Sequence, residues 1–487
     1  MYSLWTALPP ALPQTIGITF LLFDVAAFLS TSGALGGVAE AFGVHEVNQL
    51  VSSNVIVADP SVQDPASFLG PILTPDRRAG AARILSSPVD PSLLPSLSGS
   101  AMLDQLALQP AANIAQLMKD HPSAVSEMMV SPPQATIVRS WWSELTAERQ
   151  KTLMAAAPEY VGNLDGVPFV VRDQANRLFL KQSIAKLQRS IGSGVGRAQL
   201  VGTKHRLDIL QQIERTLKTT ANQPKRQLVT FDPSGEGRAA VAVGDLATAD
   251  YVSYLVPGMF FTVQGQMYDW TVIAQDLQKQ QSGWIGRLSK TDPTMVGKTA
   301  ATVSWIGYNT PDVLDIASLA KADRGATYLG NAIKGIQASR TGSQPYVTLV
   351  THSYGSTAAM IELSNESITV DALAIVGSPG SAIQSASKLS VRNHNVFVGA
   401  AAWDPVVNTA FYGSDPGAAS FGARKMDVAG GIDAITHKTL APAVGHLGYF
   451  DAGTEAMRNL ALIGIDQGTL VTDGTLADAT RTVAAAQ

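Results

Sequence analysis

Val347-Thr348-Leu349-Val350-Thr351-His352-Ser353-Tyr354-Gly355-Ser356-Thr357-Ala358-Ala359 is the stretch that decides how this chain is read. A β-rich run meets His-Ser-x-Gly and passes at once into small residues compatible with a helix. That is the sequence form of a nucleophile elbow, a sharp strand-to-helix turn that exposes a serine hydroxyl. Gly355 meets the need for a small neighbour where strand and helix approach closely. The helix N-terminus adds partial positive charge where an oxyanion would form. Thr351 stands where the G-x-S-x-G pattern has its first glycine, and a β-branched residue there is expected to crowd the turn. The plain alternative is an ordinary strand–helix junction with a serine N-cap, so the rest of the chain has to decide.

A serine hydroxyl is a weak nucleophile until a histidine takes its proton and a carboxylate orients that histidine. On elbow sites the order along the chain is serine, acid, histidine. Three histidines follow the elbow: His394, His437 and His446. His394 sits at the start of a strand, the end away from the elbow. His446 lies in Val444-Gly445-His446-Leu447-Gly448-Tyr449-Phe450, a glycine-flanked loop before the last helix, and is the expected base, with His437 as the alternative. The expected acid is Asp404, delivered by Val396-Phe397-Val398-Gly399-Ala400 and turned by Pro405. Asp415, Asp427 and Asp433 read as loop carboxylates. Backbone N–H groups of Tyr354 and Met259 are the expected oxyanion donors, with Gly258 beside them in Pro257-Gly258-Met259-Phe260. His352 is read as packing of the turn.

Around the elbow, strand and helix patterns alternate. Strands are expected at 227–231 and 238–243 (a hairpin around Asp232-Pro233-Ser234-Gly235), 251–256, 301–306, 346–350, 372–376 and 396–400. Helices are expected near 269–279, 322–339, from 354 onward and at 455–463. Repeated strand-then-helix units imply a mostly parallel sheet with helices on both faces. Upstream, Met102 to Leu117 reads as an amphipathic helix, Ser140 to Ala157 as another, and Gln174 to Leu217 as a long helical stretch broken at Gly192–Gly196. The expected organisation is an apolar N-terminal segment (1–75), a helical region able to pack as a cap (76–225), the α/β core (226–465) and a tail (466–487).

Composition narrows the chemistry. The 487 residues are 46% hydrophobic and 15% charged, which supports a sizeable core. A formal net charge of −4 argues against nucleic acid as partner. Absence of cysteine excludes disulfides, thiolate metal sites and a cysteine nucleophile. There is no His-x-x-x-His pair, and the glycine loop at 192–196 follows no strand and lacks the Lys-Ser/Thr ending of a phosphate cradle. No metal and no cofactor are called for. The first 76 residues carry no Lys or Arg, and Ile16 to Leu29 is nearly all apolar around Asp24. A buried helical hairpin is the leading reading of that stretch, with membrane association and an export signal as alternatives. Cytoplasmic or membrane-associated placement is favoured over secretion. The basic window 177–226 reads as a solvated helical face, the alternative being contact with a membrane or another anionic surface.

At this point the sequence resembles a bacterial α/β-hydrolase family known mainly from high-GC Gram-positive bacteria and long catalogued as a domain of unknown function. The likeness is carried by Gly162-Asn163-Leu164-Asp165-Gly166-Val167-Pro168 with Arg172-Asp173-Gln174-Ala175-Asn176-Arg177, and by Asp232 to Asp245 with Leu255-Val256-Pro257-Gly258. Trp305-Ile306-Gly307-Tyr308, the elbow, Gly377-Ser378-Pro379-Gly380 and His446-x-Gly448-Tyr449-Phe450 follow in the same order. The set covers roughly residues 140 to 465. It implies an α/β-hydrolase fold and a serine hydrolase triad, carried onto Ser353, Asp404 and His446, and it implies no substrate. The leading expectation is an esterase- or lipase-like enzyme acting on a small-molecule or lipid ester, with Tyr308, Trp403 and Tyr449 as candidates to line an acyl site. The alternatives are an amidase or peptidase on the same triad, or a catalytically silent binding or scaffold protein on this fold.

Overall fold

The computed structural model describes residues 87–194, 196–312, 316–340 and 342–474. The chain divides into Met1–Asp90 and Pro91–Gln487, and the architecture below is that of the second unit. The apolar segment expected over 1–75 lies outside the described residues.

Short helices come first: Gly99–Leu108 (α1), Ala111–Asp120 (α2), Ala124–Val130 (α3), Ala135–Glu144 (α4), Ala147–Ala156 (α5) and Pro158–Val161 (α6). The single helix expected from Met102 to Leu117 is two. Pro110 has no N–H to continue it, and Gln109 before it is extended at φ −68° and ψ 144°. The helix expected from Ser140 to Ala157 is also two, because Thr146 starts a new one: its side chain accepts from Arg149 N at 3.2 Å. Two long helices follow, Phe169–Gly192 (α7) and Arg197–Thr216 (α8), separated at the glycine loop as expected.

The core is one eight-stranded sheet of Arg226–Asp232 (β1), Arg238–Val243 (β2), Tyr251–Val256 (β3), Ala300–Ile306 (β4), Tyr346–His352 (β5), Ala372–Val376 (β6), Val396–Gly399 (β7) and Arg424–Lys425 (β8). Its spatial order is β1-β2-β4-β3-β5-β6-β7-β8. β2 runs antiparallel to β1 and β4, and β3 through β8 are parallel. β2, β3 and β4 are buried along their whole length, as strands covered on both faces must be. The covering helices are Val263–Leu288 (α9), Ala320–Ser339 (α10), Tyr354–Ser364 (α11) and Glu455–Ile463 (α12). α9 packs with α12 and α10 with α11. A two-residue ribbon, Gly431–Ile432 (β9) with Thr439–Leu440 (β10), stands apart from the sheet.

β1 is an edge strand, and unpaired backbone on an edge invites wrong pairing. Here side chains cover it. Asn163 donates to Phe231 O (2.7 Å) and accepts from Phe231 N (2.8 Å). Asn176 donates to Leu228 O at 2.9 Å, and Asp173 accepts from Leu228 N at 2.7 Å. Arg172 donates to Val229 O while its Nη1 pairs with Asp165 at 2.6 Å. Arg177 reaches Arg226 O at 2.6 Å. Part of the basic run expected to be a solvated face is thus structural: Arg226 itself donates to Thr216 O at 2.7 Å, and Arg215 lies 4.2 Å from the centre of the Tyr268 ring. Lys181, Lys186, Arg189, Arg197, Lys204 and Arg206 do face solvent.

Candidate active site

Ser353 leaves β5 and enters α11 at φ 54° and ψ −134°. A non-glycine residue in that region costs on the order of 1–3 kcal/mol and persists only where its surroundings hold it. Ser353 N donates to Val376 O at 3.0 Å, and its carbonyl accepts from Ser356 N and Oγ at 2.9 and 2.7 Å. Two glycines make room. A Cβ on Gly355 would lie 2.4 Å from Pro257 O, and one on Gly258 would lie 2.3 Å from Ser353 Cβ and 2.8 Å from its Oγ. The crowding expected from Thr351 does not occur. It is still a strand residue, paired with Val256 and Ile375, and its hydroxyl donates to Ala374 O at 3.0 Å.

The structure brings His446 and Asp404 together. His446 Nδ1 lies 2.9 Å from Asp404 Oδ1, and both residues are buried. Asp404 also accepts from Val406 N at 2.9 Å and from the Tyr449 hydroxyl at 2.7 Å. Burial pushes the Asp404 carboxyl up, but its bonds to His446, Tyr449 and Val406 N–H outweigh this and hold it below the ordinary carboxylate range. An ionised Asp404 keeps the proton on Nδ1 and turns the Nε2 lone pair outward. The pair packs on Gly377, the residue after Val376 at the end of β6: a Cβ there would lie 3.0 Å from His446 Cε1 and 3.1 Å from Asp404 Oδ2. His437 is exposed near the β9–β10 ribbon, and His394 precedes β7. Among the loop carboxylates, Asp415 caps Gly417 N at 2.8 Å, Asp427 caps Val428 N at 2.8 Å, and Asp433 pairs with Arg458 at 3.3 Å.

Of the two expected oxyanion donors, Tyr354 follows Ser353 in the chain and Met259 follows Gly258, which packs on Ser353. Tyr354 opens α11 directly after Ser353. Met259 is buried next to Gly258, and its N–H has no partner among the described residues, whereas Phe260 N bonds to Pro311 O at 3.1 Å. The Tyr308 hydroxyl donates to Pro257 O at 2.7 Å and so orients the peptide leading into this loop.

His352, expected to pack the turn, is buried and also hydrogen-bonded. Its Nε2 lies 2.7 Å from His446 O, an acceptor, so the proton sits on Nε2. The two imidazole centres are 4.5 Å apart. Burial, then the nearby charge of His446, push His352 down to about 3, so it stays neutral across the working range.

Of the three aromatics expected at an acyl site, Tyr308 and Tyr449 are fully buried and spend their hydroxyls on Pro257 O and Asp404. Only Trp403 is open, at 88% exposure and φ 61°, directly before the acid. Tyr449, expected to line an acyl site, instead bonds Asp404, and Gly377 is a contact the sequence reading did not single out, although both lie in motifs that carried the resemblance. Among the described residues no group of His, Asp and Glu converges as a metal would require, and no helix is long and apolar enough to cross a membrane.

This sheet, with its elbow after β5, defines an α/β-hydrolase fold. Residues 232–414 match the model of a family described as Alpha/beta hydrolase. An uncharacterised protein of Mycobacterium tuberculosis (strain H37Rv) is 26% identical over 411 residues, covering 73% of this chain and 60% of the relative. One from Mycobacterium bovis is 28% identical over 246 residues, covering 48% of this chain and 86% of the relative. These high-GC Gram-positive relatives agree with the resemblance in the sequence. The chain spans about 60% of the length of the curated relatives it matches first. A dienelactone hydrolase crystal structure from Anabaena variabilis superposes with a TM-score of 0.31 at 16% identity, over 51% of this chain and 99% of that one.

Proposed function

We propose that this protein is a serine hydrolase that cleaves carboxylic esters through an acyl-enzyme. One observation supports the reading: a buried His446–Asp404 pair at 2.9 Å packs on Gly377, and the preceding Val376 carbonyl accepts from the N–H of a serine held at φ 54°. Ser353 Oγ attacks the ester carbonyl carbon as its proton passes to His446 Nε2. The Tyr354 and Met259 N–H groups take the developing oxyanion. Collapse of the tetrahedral adduct expels the alcohol, which leaves with the proton from His446. Water then attacks the acyl-enzyme with His446 again as base, and the acid departs. Asp404 holds the imidazole and stabilises its charged form, and Tyr449 holds Asp404.

The test is labelling by a neutral fluorophosphonate probe, with the modified residue located by mass spectrometry. Label at Ser353, absent from Ser353→Ala, is the expected result. Folded protein that takes no label rejects the reading in favour of a silent hydrolase-fold scaffold. A matched ester and amide panel then separates esterase from amidase or peptidase.

A further inference from the structure

A cavity of about 140 Å³ lies among Ser234, Arg238, Asn309, Lys321, Arg324 and Tyr328, and no Asp or Glu lines it. Arg238 opens β2, which runs antiparallel to β4, so it stands level with the carboxyl end of β4 at Ile306. The cavity is therefore on the same edge of the sheet as Ser353. Arg238 is 6% exposed, and its guanidinium lies 4.2 Å from the centre of the Tyr328 ring. Its Nη2 pairs with Asp232, whereas Nη1 is buried with no hydrogen-bond partner. A guanidinium offers five donors in a fixed fork, and this one has the Asp232 carboxylate and a long contact from Nη2 to the Met129 sulfur at 3.9 Å, which leaves Nη1 unmatched. Lys321, whose Nζ donates to Thr310 O at 3.1 Å, and the exposed Arg324 lie in the first turns of α10, where the helix dipole adds positive potential.

Two sets of contacts join this cavity to the nucleophile. The Tyr354 hydroxyl, on the residue after Ser353, accepts from Ala322 N at 3.0 Å and donates to Ser318 O at 2.9 Å, fastening the start of α10 to the elbow. Gly258 packs on Ser353, and the loop it begins is tied to the loop after β4 by Phe260 N to Pro311 O (3.1 Å) and by Thr310 Oγ1 to Phe261 O (3.0 Å). In the sheet β4 is two strands from β5 and β2 is three. At about 4.8 Å per strand, the cavity is on the order of 10–14 Å along the edge from Ser353.

We propose that this cavity is an anion subsite, holding a carboxylate or phosphate at the far end of an ester whose carbonyl is attacked by Ser353. The proposal rests on the serine hydrolase reading and names its substrate class: an ester that carries a negative charge at the end remote from the scissile bond. Arg238 and Arg324 supply charge and forked donors, Asn309 and Ser234 supply neutral ones, and Tyr328 keeps the Arg238 plane in place.

The experiment compares mono-4-nitrophenyl sebacate with 4-nitrophenyl decanoate, which share chain length and leaving group and differ in the terminal carboxylate. Wild-type protein is expected to favour the sebacate at least tenfold in kcat/KM, through KM, with inorganic phosphate competing against the sebacate. Arg324→Ala should bring the ratio towards one and Arg324→Lys should restore most of it. Arg238→Met tests the buried donor, and Arg324, being exposed, keeps the test open if that variant does not fold. A chain ending in a phosphate monoester that outperforms the sebacate identifies phosphate as the source of the charge, and the reverse identifies carboxylate. Equal kcat/KM for sebacate and decanoate in wild type, or a preference unmoved by Arg324→Ala, overturns the subsite. Failure of the underlying reading is distinct: Ser353 then takes no fluorophosphonate and neither ester turns over. Calorimetric titration of inorganic phosphate decides that case, with wild-type binding lost in Arg324→Ala upholding an anion site and no wild-type binding overturning it.

Discussion

Two buried polar networks in this molecule use similar residues for different ends. One, made of Asn163, Arg172, Asp173, Asn176 and Arg177, sends its hydrogen bonds to the backbone of β1. The other, made of His352, Asp404, His446 and Tyr449, bonds largely within itself and meets a serine in a disfavoured backbone conformation. The first completes an edge strand, including the irregular step between Leu228 and Thr230. The second lies beside the strand–helix turn where Ser353, the proposed nucleophile, is held in a strained backbone conformation. Burial, charge and hydrogen bonding do not separate the two, since both have all three. What separates them is where the network ends: on ladder positions that any sheet must satisfy, or on one residue held against its preference.

The sharpest way to break this contrast is to remove one member of each network. His446→Ala should lower the rate of fluorophosphonate labelling and of ester hydrolysis by at least about 10³-fold, with a smaller loss of stability than Arg172→Ala because Asp404 keeps its bonds from Tyr449 and Val406 N–H. Arg172→Ala should do the converse. It strips β1 of a donor and leaves Asp165 without its partner, a loss of about 3–5 kcal/mol in urea unfolding, while the folded fraction labels at the wild-type rate. A His446→Ala protein that unfolds, or an Arg172→Ala protein as stable as wild type, would show that the two networks have not divided their roles.

Tyr449→Phe probes the site at smaller amplitude. It removes the donor to Asp404 Oδ2 and the acceptor for Ala401 N while leaving the buried ring in place. We expect kcat/KM to fall roughly tenfold, equivalent to about 1.4 kcal/mol of transition-state stabilisation, with Ser353 still reactive. Unchanged kinetics would mean that His446 and Val406 N–H suffice to hold the acid.

How much of this could be read in the sequence differs between the networks for a physical reason. Ser353, Asp404 and His446 were legible because each sits in a local pattern, an elbow, a strand end and a glycine-flanked loop, and their chain order restricts the pairing. Tyr449 was read as an acyl-site candidate because an aromatic near a site looks like lining; its bond to Asp404 spans 45 positions of sequence. The β1 clamp was illegible for a related reason. Arg177 and Arg226 belong to a basic run, and nothing local says that β1 is an edge strand whose carbonyls need donors. The helix break at Pro110 was legible and was passed over, since apolar periodicity continues through it. Thr351 misled in the other direction. A first-glycine rule treats the turn as starting there, whereas this turn starts at Ser353 and Thr351 remains in the ladder.

The last expected effect is on stability rather than rate and concerns His352. Native His352 is pushed down to about 3, against 6.5 for the free side chain. Between pH 6.5 and 4.5 the unfolded chain therefore takes up a proton that the native protein refuses. Stability falls as pH falls, with a slope approaching about 1.4 kcal/mol per pH unit from this residue alone. Asp404, held below the ordinary carboxylate range, begins to cost stability only at pH values under that window. Asp165, pushed up by burial despite Arg172, acts in the opposite sense, so the comparison must be between variants rather than with theory. His352→Gln keeps an N–H for His446 O and does not titrate. Urea midpoints at pH 6.5, 5.5 and 4.5 should decline more steeply in wild type than in His352→Gln, by the equivalent of up to one proton. Parallel declines would mean that His352 accepts a proton in the native state, and the pairing of its Nε2–H with the base loop would then no longer define its tautomer.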